Sequence, residues 1–233
     1  MPASIARNVL IVGASRGLGL EFVRQYRADG AKVTATARDD DGLARIAALG
    51  ARPLKLDVAD AASAAGLAWQ IDGEAFDTVF FVAGVTGDRA PALQPPTEQD
   101  FDAVMHTNVL GAMRVLPTVA EALAPARAGA PGARIGVLSS RMGSMGVRSA
   151  NVNWLYRASK AAVNSVMKDA SIALEGRALC VAFHPGWVRT DMGGSGADID
   201  AAESIAGLRK ALAGLDAASN GSFLNYDGAP LAW

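Results

Sequence analysis

Short runs of apolar and β-branched residues alternate along this chain with longer segments of helical periodicity. Each run is apolar nearly throughout, without the polar–apolar alternation of a half-exposed strand. Uniformly apolar strands are typical of parallel sheets that are covered by helices on both faces. The predicted strands are residues 8–13, 31–38, 52–58, 77–84, 133–140 and 178–186, followed by a last strand over 221–228.

The segments between these strands carry apolar residues three and four positions apart, as amphipathic helices do. Strands and helices that alternate in this way, with right-handed crossovers, form a doubly wound sheet. The sequence therefore predicts an α/β fold of the Rossmann type, with about seven parallel strands and helices on both faces. The predicted helices are residues 17–29, 98–124, 153–175 and 200–214, with weaker helical segments near 41–49 and 60–68.

Length and composition favour one domain. The chain has 233 residues, of which 51% are hydrophobic, and this supplies ample apolar surface for one large core. No repeat and no linker interrupts the sequence. The stretch over 122–134, rich in Ala and Pro, is predicted to be a helix end followed by a surface loop. We therefore expect a single domain over residues 1–233.

Charge and cysteine content argue against several classes of protein. The formal net charge is −1 and Lys and Arg form no run, so no nucleic-acid or membrane partner is expected. No stretch reaches the ~20 apolar residues that span a bilayer, and the expected location is cytoplasmic. Cys180 is predicted to be a buried thiol. The only histidines, His106 and His184, predict no metal site, and His184 is interpreted as a partly buried, hydrogen-bonded structural residue.

Three glycines follow the first predicted strand and open the first helix. Gly13, Gly17 and Gly19 lack side chains, so the backbone can adopt unusual φ angles and a phosphate can approach it. Their spacing differs from the general Gly-x-Gly-x-x-Gly dinucleotide fingerprint. A tight turn that needs small residues is the alternative explanation. The position between strand and helix favours phosphate binding.

A tyrosine and a lysine stand four residues apart near the start of a long predicted helix. Tyr156 and Lys160, in "YRASK", project from one helix face, which brings a phenol and an ammonium into one place. An exposed helical pair is the alternative. Ser139 and Ser140 end the fifth predicted strand, at the sheet edge where ligands of open α/β sheets bind.

These motifs together resemble those of the classical short-chain dehydrogenase/reductase family. "GASRGLG" matches the family's glycine motif, "LDV" its adenine contact, "NVLG" its active-site asparagine segment, "SS" its catalytic serine and "YRASK" its Tyr-Lys pair. The resemblance covers essentially the whole chain. Within the family, "HPGWVRTDMGG" and "FLNYDGAPLAW" are similar to the C-factor-like and small carbonyl-reductase-like bacterial members.

Two departures from the family pattern stand out. Phe81, Val82, Ala83 and Gly84 stand where the family has Asn-Asn-Ala-Gly, and this removes a polar tie to the central sheet. The spacing from Ser140 to Tyr156 is a few residues longer than usual. Ser144 is therefore the second candidate for the catalytic serine.

The resemblance implies roles for four catalytic residues. A nearby ammonium lowers the pKa of a phenol from about 10, so Lys160 is expected to tune Tyr156 as the acid–base group. The resemblance further implies that Lys160 holds the nicotinamide ribose, that Ser140 donates a hydrogen bond to the substrate oxygen, and that Asn108 fixes a water. For Asn108 alone, a helix N-cap or an interior polar tie is the alternative.

The resemblance also assigns residues to the cofactor. Asp57 has the alternative of ending a strand, and Thr190 that of capping a helix. The implied contacts are Leu18 and Gly19 at the pyrophosphate, Asp57 and Val58 at the adenine, Ala83 and Gly84 beside the ribose, and Pro185, Gly186, Val188 and Thr190 around the nicotinamide.

The end of the second predicted strand indicates the choice of cofactor. An NAD site places a carboxylate there for the ribose hydroxyls, whereas this chain has Ala37. Arg38 follows, and Ser15 and Arg16 lie in the glycine loop, so two guanidinium groups and a hydroxyl can meet a 2′-phosphate. The acidic run 39–41 is interpreted as a solvated turn. NADP(H) is predicted to be preferred, with NAD(H) as the alternative.

The sequence therefore predicts an oxidoreductase that transfers a hydride between NADP(H) and a carbonyl or secondary alcohol. A regulatory or signalling nucleotide-binding protein of the C-factor type, and a non-redox lyase or epimerase, are the alternatives. The short segment 191–200 predicts an open site for broad or small carbonyls, and a homodimer or homotetramer is expected from the family. Aromatic and Met residues that either line an apolar substrate mouth or simply pack are Met142, Met145, Trp154, Trp187 and Met192.

Overall fold

A computed structural model describes residues 8–126 and 132–233, and in it seven parallel strands form one sheet. The strand order is β3-β2-β1-β4-β5-β6-β7, so the direction of winding reverses between β1 and β4. The predicted α/β class is confirmed. The strands are β1 (Asn8–Val12), β2 (Lys32–Ala37), β3 (Arg52–Lys55), β4 (Thr78–Phe81), β5 (Ala133–Leu138), β6 (Ala178–His184) and β7 (Phe223–Asn225).

Seven α-helices connect the strands. They are α1 (Gly17–Ala28), α2 (Asp40–Ala48), α3 (Ala61–Gln70), α4 (Glu98–Met105), α5 (Gly111–Glu121), α6 (Trp154–Ala173) and α7 (Ala201–Ala213).

The helix predicted over 98–124 is regular only in part. A π-helical segment, His106–Leu110, lies between α4 and α5, and the helix ends at Glu121. A hydrophobic period of 3.6 residues does not reveal such a local widening, because the apolar positions on either side stay in phase with a helix. The predicted loop that follows falls partly on residues 127–131, which lie outside the described residues.

The acidic run after β2 begins a helix, so its interpretation as a turn is wrong. Asp39 is the N-cap of α2, and its side chain accepts a hydrogen bond of 2.7 Å from the Gly42 N–H. Asp40 and Asp41 lie in the first turn, where carboxylates interact favourably with the free N–H groups of a helix. All three aspartates are exposed, as expected for solvated charges.

The core consists of two apolar layers, one on each face of the sheet. Leu10 and Val12 of β1 pack toward α3, α5 and α6, whereas Val9 and Ile11 pack toward α1 and α7. On the second face the rings of Phe22 and Phe80 stack with centroids 4.0 Å apart. Both faces of β1 are therefore buried, as its uniformly apolar sequence predicts.

Two further predictions concern single residues. Cys180 is fully buried in the first apolar layer with a free thiol, as predicted. Val82 packs against the second layer, and the Val82 and Ala83 N–H groups donate to the Val12 carbonyl at 2.8 and 3.0 Å. The main chain thus ties this segment to β1. In the described part of the chain no helix is long and apolar enough to cross a membrane.

Candidate active site

A cleft opens at the carboxyl edge of the sheet, beside the β1–β4 boundary where the winding direction reverses. Ligands of open α/β sheets bind at such a switch point. Most of the predicted cofactor residues line this cleft. They are Gly13, Ser15, Arg16, Gly17, Leu18, Gly19, Arg38, Asp57, Val58, Ala83, Gly84, Tyr156, Lys160, Pro185 and Thr190.

Two predicted cofactor residues do not line the cleft. Gly186 has φ +86°, and a Cβ there would lie 2.6 Å from Cδ1 of Ile199. Val188 is buried and forms a β-bridge with Ile199. Both residues therefore pack against Ile199, and the turn they form presents Pro185 and Thr190 to the cleft instead.

The glycine loop is built by close backbone approach. Gly13 has φ +89°, and a Cβ there would lie 2.6 Å from the Ala83 nitrogen. A Cβ on Gly19 would lie 2.1 Å from the Gly13 carbonyl oxygen. The helix that follows has no side-chain cap at Arg16 and no acidic residue in its first turn. Its free N–H groups therefore suit an anionic ligand such as a pyrophosphate.

Cationic side chains surround the outer part of this loop. Arg38 is exposed at the cleft, and Nη1 of Arg16 lies 2.9 Å from Oδ2 of Asp191. Arg45, which the sequence reasoning missed, donates from Nε to the Ser15 carbonyl oxygen at 2.8 Å. Only the position of α2 beside the loop reveals Arg45, because it lies 30 residues from Ser15.

Asp57 and Thr190 make local bonds as well as lining the cleft. Oδ1 of Asp57 accepts from the Ala59 N–H at 2.9 Å, and Oγ1 of Thr190 accepts from the Gly193 N–H at 3.1 Å. Such bonds stabilise turns after strands. Each side chain therefore shapes its own turn, and the cleft and turn interpretations hold together.

The Tyr156 phenol is buried, and burial controls its acidity. Burial raises the pKa of Tyr156 to about 12, although the Ser140 hydroxyl beside it acts in the opposite direction. Lys160 Nζ lies 5.6 Å from the ring centroid and donates to the Leu138 carbonyl at 2.8 Å. The expectation that Lys160 lowers the pKa of this phenol is wrong for this geometry, because desolvation is the larger effect.

Lys160 is itself perturbed. Its side chain is buried, and desolvation lowers the pKa of Lys160 to about 8. A Cβ on Gly84 would lie 3.2 Å from Nζ and 3.3 Å from Oδ1 of Asn108, so the glycine leaves room beside both polar groups. The ammonium can therefore exchange a proton near neutral pH.

The serines after β5 have different partners. Oγ of Ser140 accepts from the Met142 N–H at 3.1 Å and lies beside the Tyr156 phenol. Ser144 is fully buried, and its Oγ accepts from the Val147 N–H at 3.2 Å and donates to the Trp233 carbonyl at 3.3 Å. The geometry therefore favours Ser140 as the serine that meets a substrate oxygen.

Asn108 lies in the π-helical segment and is an interior tie rather than a helix N-cap. Its Nδ2 donates to the Val85 carbonyl and to Oγ of Ser159, at 2.8 and 2.9 Å, and its Oδ1 accepts from the Val85 N–H at 2.8 Å. Ser159, missed at the sequence level, donates to the Tyr156 carbonyl at 2.8 Å. This chain of bonds joins the segment after β4 to the helix that carries the phenol.

His184, at the end of β6, is partly buried as predicted, but its hydrogen bonding is not complete. Its Nδ1 is buried without a hydrogen-bond partner among the described residues. Burial and the nearby Arg141 lower the pKa of His184 to about 4, so the ring is neutral at physiological pH. Within residues 8–126 and 132–233, no group of three His, Cys, Asp or Glu side chains is placed to hold a metal ion.

The apolar residues predicted for the mouth divide into two groups. Met145, Trp187 and Met192 are exposed, at 70%, 53% and 41%, whereas Met142 and Trp154 are half-buried. Arg89, from the segment after β4, donates to the Met192 carbonyl at 2.7 Å. The segment after β6 is therefore tied across the cleft both by Arg89 and by the Arg16–Asp191 pair.

The fold and the cleft define a dinucleotide-binding α/β protein with a Ser-Tyr-Lys group at the carboxyl edge of its sheet. The sequence pattern of the short chain dehydrogenase family matches residues 7–198. This chain belongs to the short-chain dehydrogenase/reductase family of oxidoreductases, as its motifs indicate.

Known relatives extend the comparison. The C-signal protein of Myxococcus xanthus is 34% identical over 158 residues, which cover 67% of this chain and 92% of that protein. A Burkholderia multivorans chain assigned to the short-chain dehydrogenase/reductases, with bound NADP, has a TM-score of 0.85 and 32% identity, covering 98% of this chain and all of that one. An NADPH-bound carbonyl reductase from chicken fatty liver has a TM-score of 0.79 and 32% identity, covering 97% and 99%.

The buried ammonium predicts a stabilising substitution. An unfolded chain binds the Lys160 proton with a pKa of about 10.4, so the lowered folded pKa costs about 3 kcal/mol at pH values below about 8. Replacing Lys160 by Met removes this cost but leaves the Leu138 carbonyl without its donor, a loss of about 1 kcal/mol. We expect Lys160→Met to raise the free energy of unfolding by about 2 kcal/mol near pH 7.

The sign of the pH dependence follows from the same shift. As pH rises from about 8 to 10, the unfolded state loses its advantage in binding the proton, so the gain of Lys160→Met over wild type shrinks and disappears. Urea unfolding of both proteins at pH 7, 8.5 and 10 measures this difference. A constant difference across these pH values would contradict the lowered pKa.

Proposed function

We propose that this chain is an NADP(H)-dependent oxidoreductase that transfers a hydride between the cofactor and a carbonyl or secondary alcohol, with Tyr156 as the acid–base residue. The observation that carries the proposal is the meeting of Tyr156, Lys160 and Ser140 at the cleft that the glycine loop also lines. The whole of residues 1–233 is proposed to act as one domain.

The residues of the cleft fit a nicotinamide dinucleotide. The close approach at Gly13, and the space at Gly84 beside Lys160 Nζ and Asn108 Oδ1, form a cradle that larger residues would fill. When bound, the dinucleotide supplies or accepts the hydride at the substrate carbon. Lys160 is proposed to hold its ribose, and the free N–H groups of α1 its pyrophosphate.

Proton transfer is proposed to belong to the protein. With a pKa of about 12, Tyr156 keeps its proton at neutral pH and can donate it to an oxygen that becomes negative as the hydride arrives. Ser140 donates a hydrogen bond to the same oxygen, which stabilises the developing charge. Lys160, with a pKa of about 8, can return a proton to the phenol, so the group is reset after each turnover.

The preference for NADP(H) is proposed to rest on Arg38. Arg38 is exposed at the cleft and follows Ala37, where an NAD site has a carboxylate. Hydrogen bonds to charged groups contribute roughly 1.5 to 3 kcal/mol, so Arg38→Ala is expected to lower kcat/KM for NADPH about ten- to a hundredfold and to leave NADH nearly unaffected. Steady-state kinetics with both cofactors measures this. An equal loss with NADH, or a wild-type preference for NADH, contradicts the assignment.

The exposed apolar side chains beside the cleft support a substrate with a hydrophobic group. Trp187 and Met192 lie on the segment after β6, and Met145 follows the catalytic serine segment. The carbonyl reductase from chicken fatty liver is a structural neighbour that supports the same reaction class. Exposed Phe101, Met113 and Ile172, on the surfaces of α4, α5 and α6, support association into a dimer or tetramer.

A panel of aldehydes and ketones tests the proposal. Purified protein is mixed with NADPH and each carbonyl, and the absorbance of NADPH and the alcohol product are followed together. Alcohol formed in equal amount to NADPH consumed supports the proposal. Tight binding of NADPH without turnover would favour the second candidate, a regulatory nucleotide-binding protein, which the similarity to C-signal supports. Product formed with no net change in NADPH would favour a lyase or epimerase.

A further inference from the structure

The C-terminal segment of this chain reaches the loop that follows the catalytic serine. The main-chain carbonyl oxygen of Trp233 accepts three hydrogen bonds. The donors are the Met145 N–H at 3.1 Å, the Gly146 N–H at 2.9 Å and the Ser144 hydroxyl at 3.3 Å. Three donors from three consecutive residues therefore meet one acceptor, and this fixes the loop relative to Trp233.

The acceptor is itself held in place by packing. The indole of Trp233 stacks on Phe223 with ring centroids 5.5 Å apart and planes inclined by 25°. Phe223 is buried in the core, and its carbonyl accepts from the Leu231 N–H at 2.8 Å. The segment thus folds back along β7, and Trp233 is anchored to the sheet through its ring while its main chain holds the loop.

The loop is connected to Ser140 by a short and rigid stretch. Arg141–Gly143 forms a 3₁₀ turn, in which the Gly143 N–H donates to the Ser140 carbonyl at 2.8 Å. A Cβ on Gly143 would lie 2.7 Å from the Lys160 carbonyl carbon, so the turn presses directly on α6. A shift at Ser144 is therefore transmitted along the main chain to Ser140, because the turn between them has little freedom.

We propose that Trp233 is a positioning residue, which fixes the placement of Ser140 against the Tyr156 phenol by holding the loop 144–146. This inference rests on the proposed function, since it assigns Trp233 an effect on the same hydride transfer. Trp233 touches neither the phenol nor the glycine loop in the contacts described above. Its contribution is therefore expected in kcat and not in cofactor binding.

A double-mutant cycle tests the proposal. Small misplacement of a hydrogen-bond donor loses part of its stabilisation of the transition state, so Trp233→Ala is expected to lower kcat about tenfold. The Kd for NADPH is expected to stay within about twofold, because the glycine loop is untouched. In a Ser140→Ala background, Trp233→Ala is expected to lower kcat no further, since the donor that it positions is already gone.

Two further variants and a control sharpen the cycle. Trp233→Phe keeps a ring to stack on Phe223 and is expected to recover most of the wild-type kcat. Gly146→Ala places a methyl group 3.0 Å from the Ala232 Cβ, so it disturbs the same contact while the indole is retained, and a severalfold loss of kcat is expected. Trp69, 87% exposed on α3, is the matched control, and Trp69→Ala is expected to leave kcat unchanged.

The outcomes separate this inference from the proposed function. If Ser140→Ala lowers kcat but Trp233→Ala and Gly146→Ala do not, the positioning role alone is overturned. If Trp233→Ala lowers kcat equally with and without Ser140, Trp233 acts by another route and the inference is also overturned. If Ser140→Ala leaves kcat unchanged, both the serine's role and the inference fall. Should Trp233→Ala not fold, Gly146→Ala and its Ser140→Ala double variant decide the question alone.

Discussion

Tyr156→Phe is expected to lower kcat at least about a hundredfold, the usual loss when a general acid is removed. The substitution deletes only the phenolic oxygen. The ring stays packed at the start of α6, so the fold and the cofactor cradle are retained. Because burial raises the pKa of Tyr156 to about 12, wild-type protein holds this proton throughout the neutral range, and the variant has no other group beside Ser140 to supply it.

Steady-state and binding measurements together check this result. The Kd for NADPH, followed by fluorescence, is expected to remain within about twofold of wild type, which places the loss in the chemical step. Thermal unfolding of the variant is expected to resemble that of wild type, because phenylalanine fills the same volume. Near-normal turnover by Tyr156→Phe would contradict the mechanism.

Ser140→Ala is expected to lower kcat by about a hundredfold, since loss of one preorganised donor to a developing oxyanion typically costs that much or more. Ser144→Ala is the matched control, because the same atom is removed four residues further along. Its hydroxyl bonds to Val147 and Trp233 rather than to the phenol, and the Met145 and Gly146 N–H groups still hold Trp233. We expect its kcat to stay within about threefold of wild type.

Stability gives a second, independent ranking of these two serines. Ser144 is fully buried with two hydrogen-bond partners, so Ser144→Ala is expected to lower the free energy of unfolding by about 1 kcal/mol. The reverse order in kcat, with Ser144→Ala the more damaging, would show that the longer spacing between Ser140 and Tyr156 assigns the role to the other serine.

The sequence by itself determined the architecture and the place of the cleft. Strands such as β1 and β6 are apolar on both faces, and this pattern is stable only in a parallel sheet covered on both sides. Motifs at the carboxyl ends of such strands must meet at one edge of the sheet. The glycine loop, Tyr156 and Lys160 could therefore be assigned to one cleft from local patterns alone.

Only the tertiary structure decided the properties that depend on burial and on distant contacts. The pKa of Tyr156 is raised rather than lowered because desolvation exceeds the effect of nearby groups, and no local pattern reports desolvation. The Arg16–Asp191 pair joins residues 175 positions apart, and the Ser144–Trp233 bond joins residues 89 apart. Such contacts are absent from any sequence window, since they exist only after the sheet has brought its strand ends together.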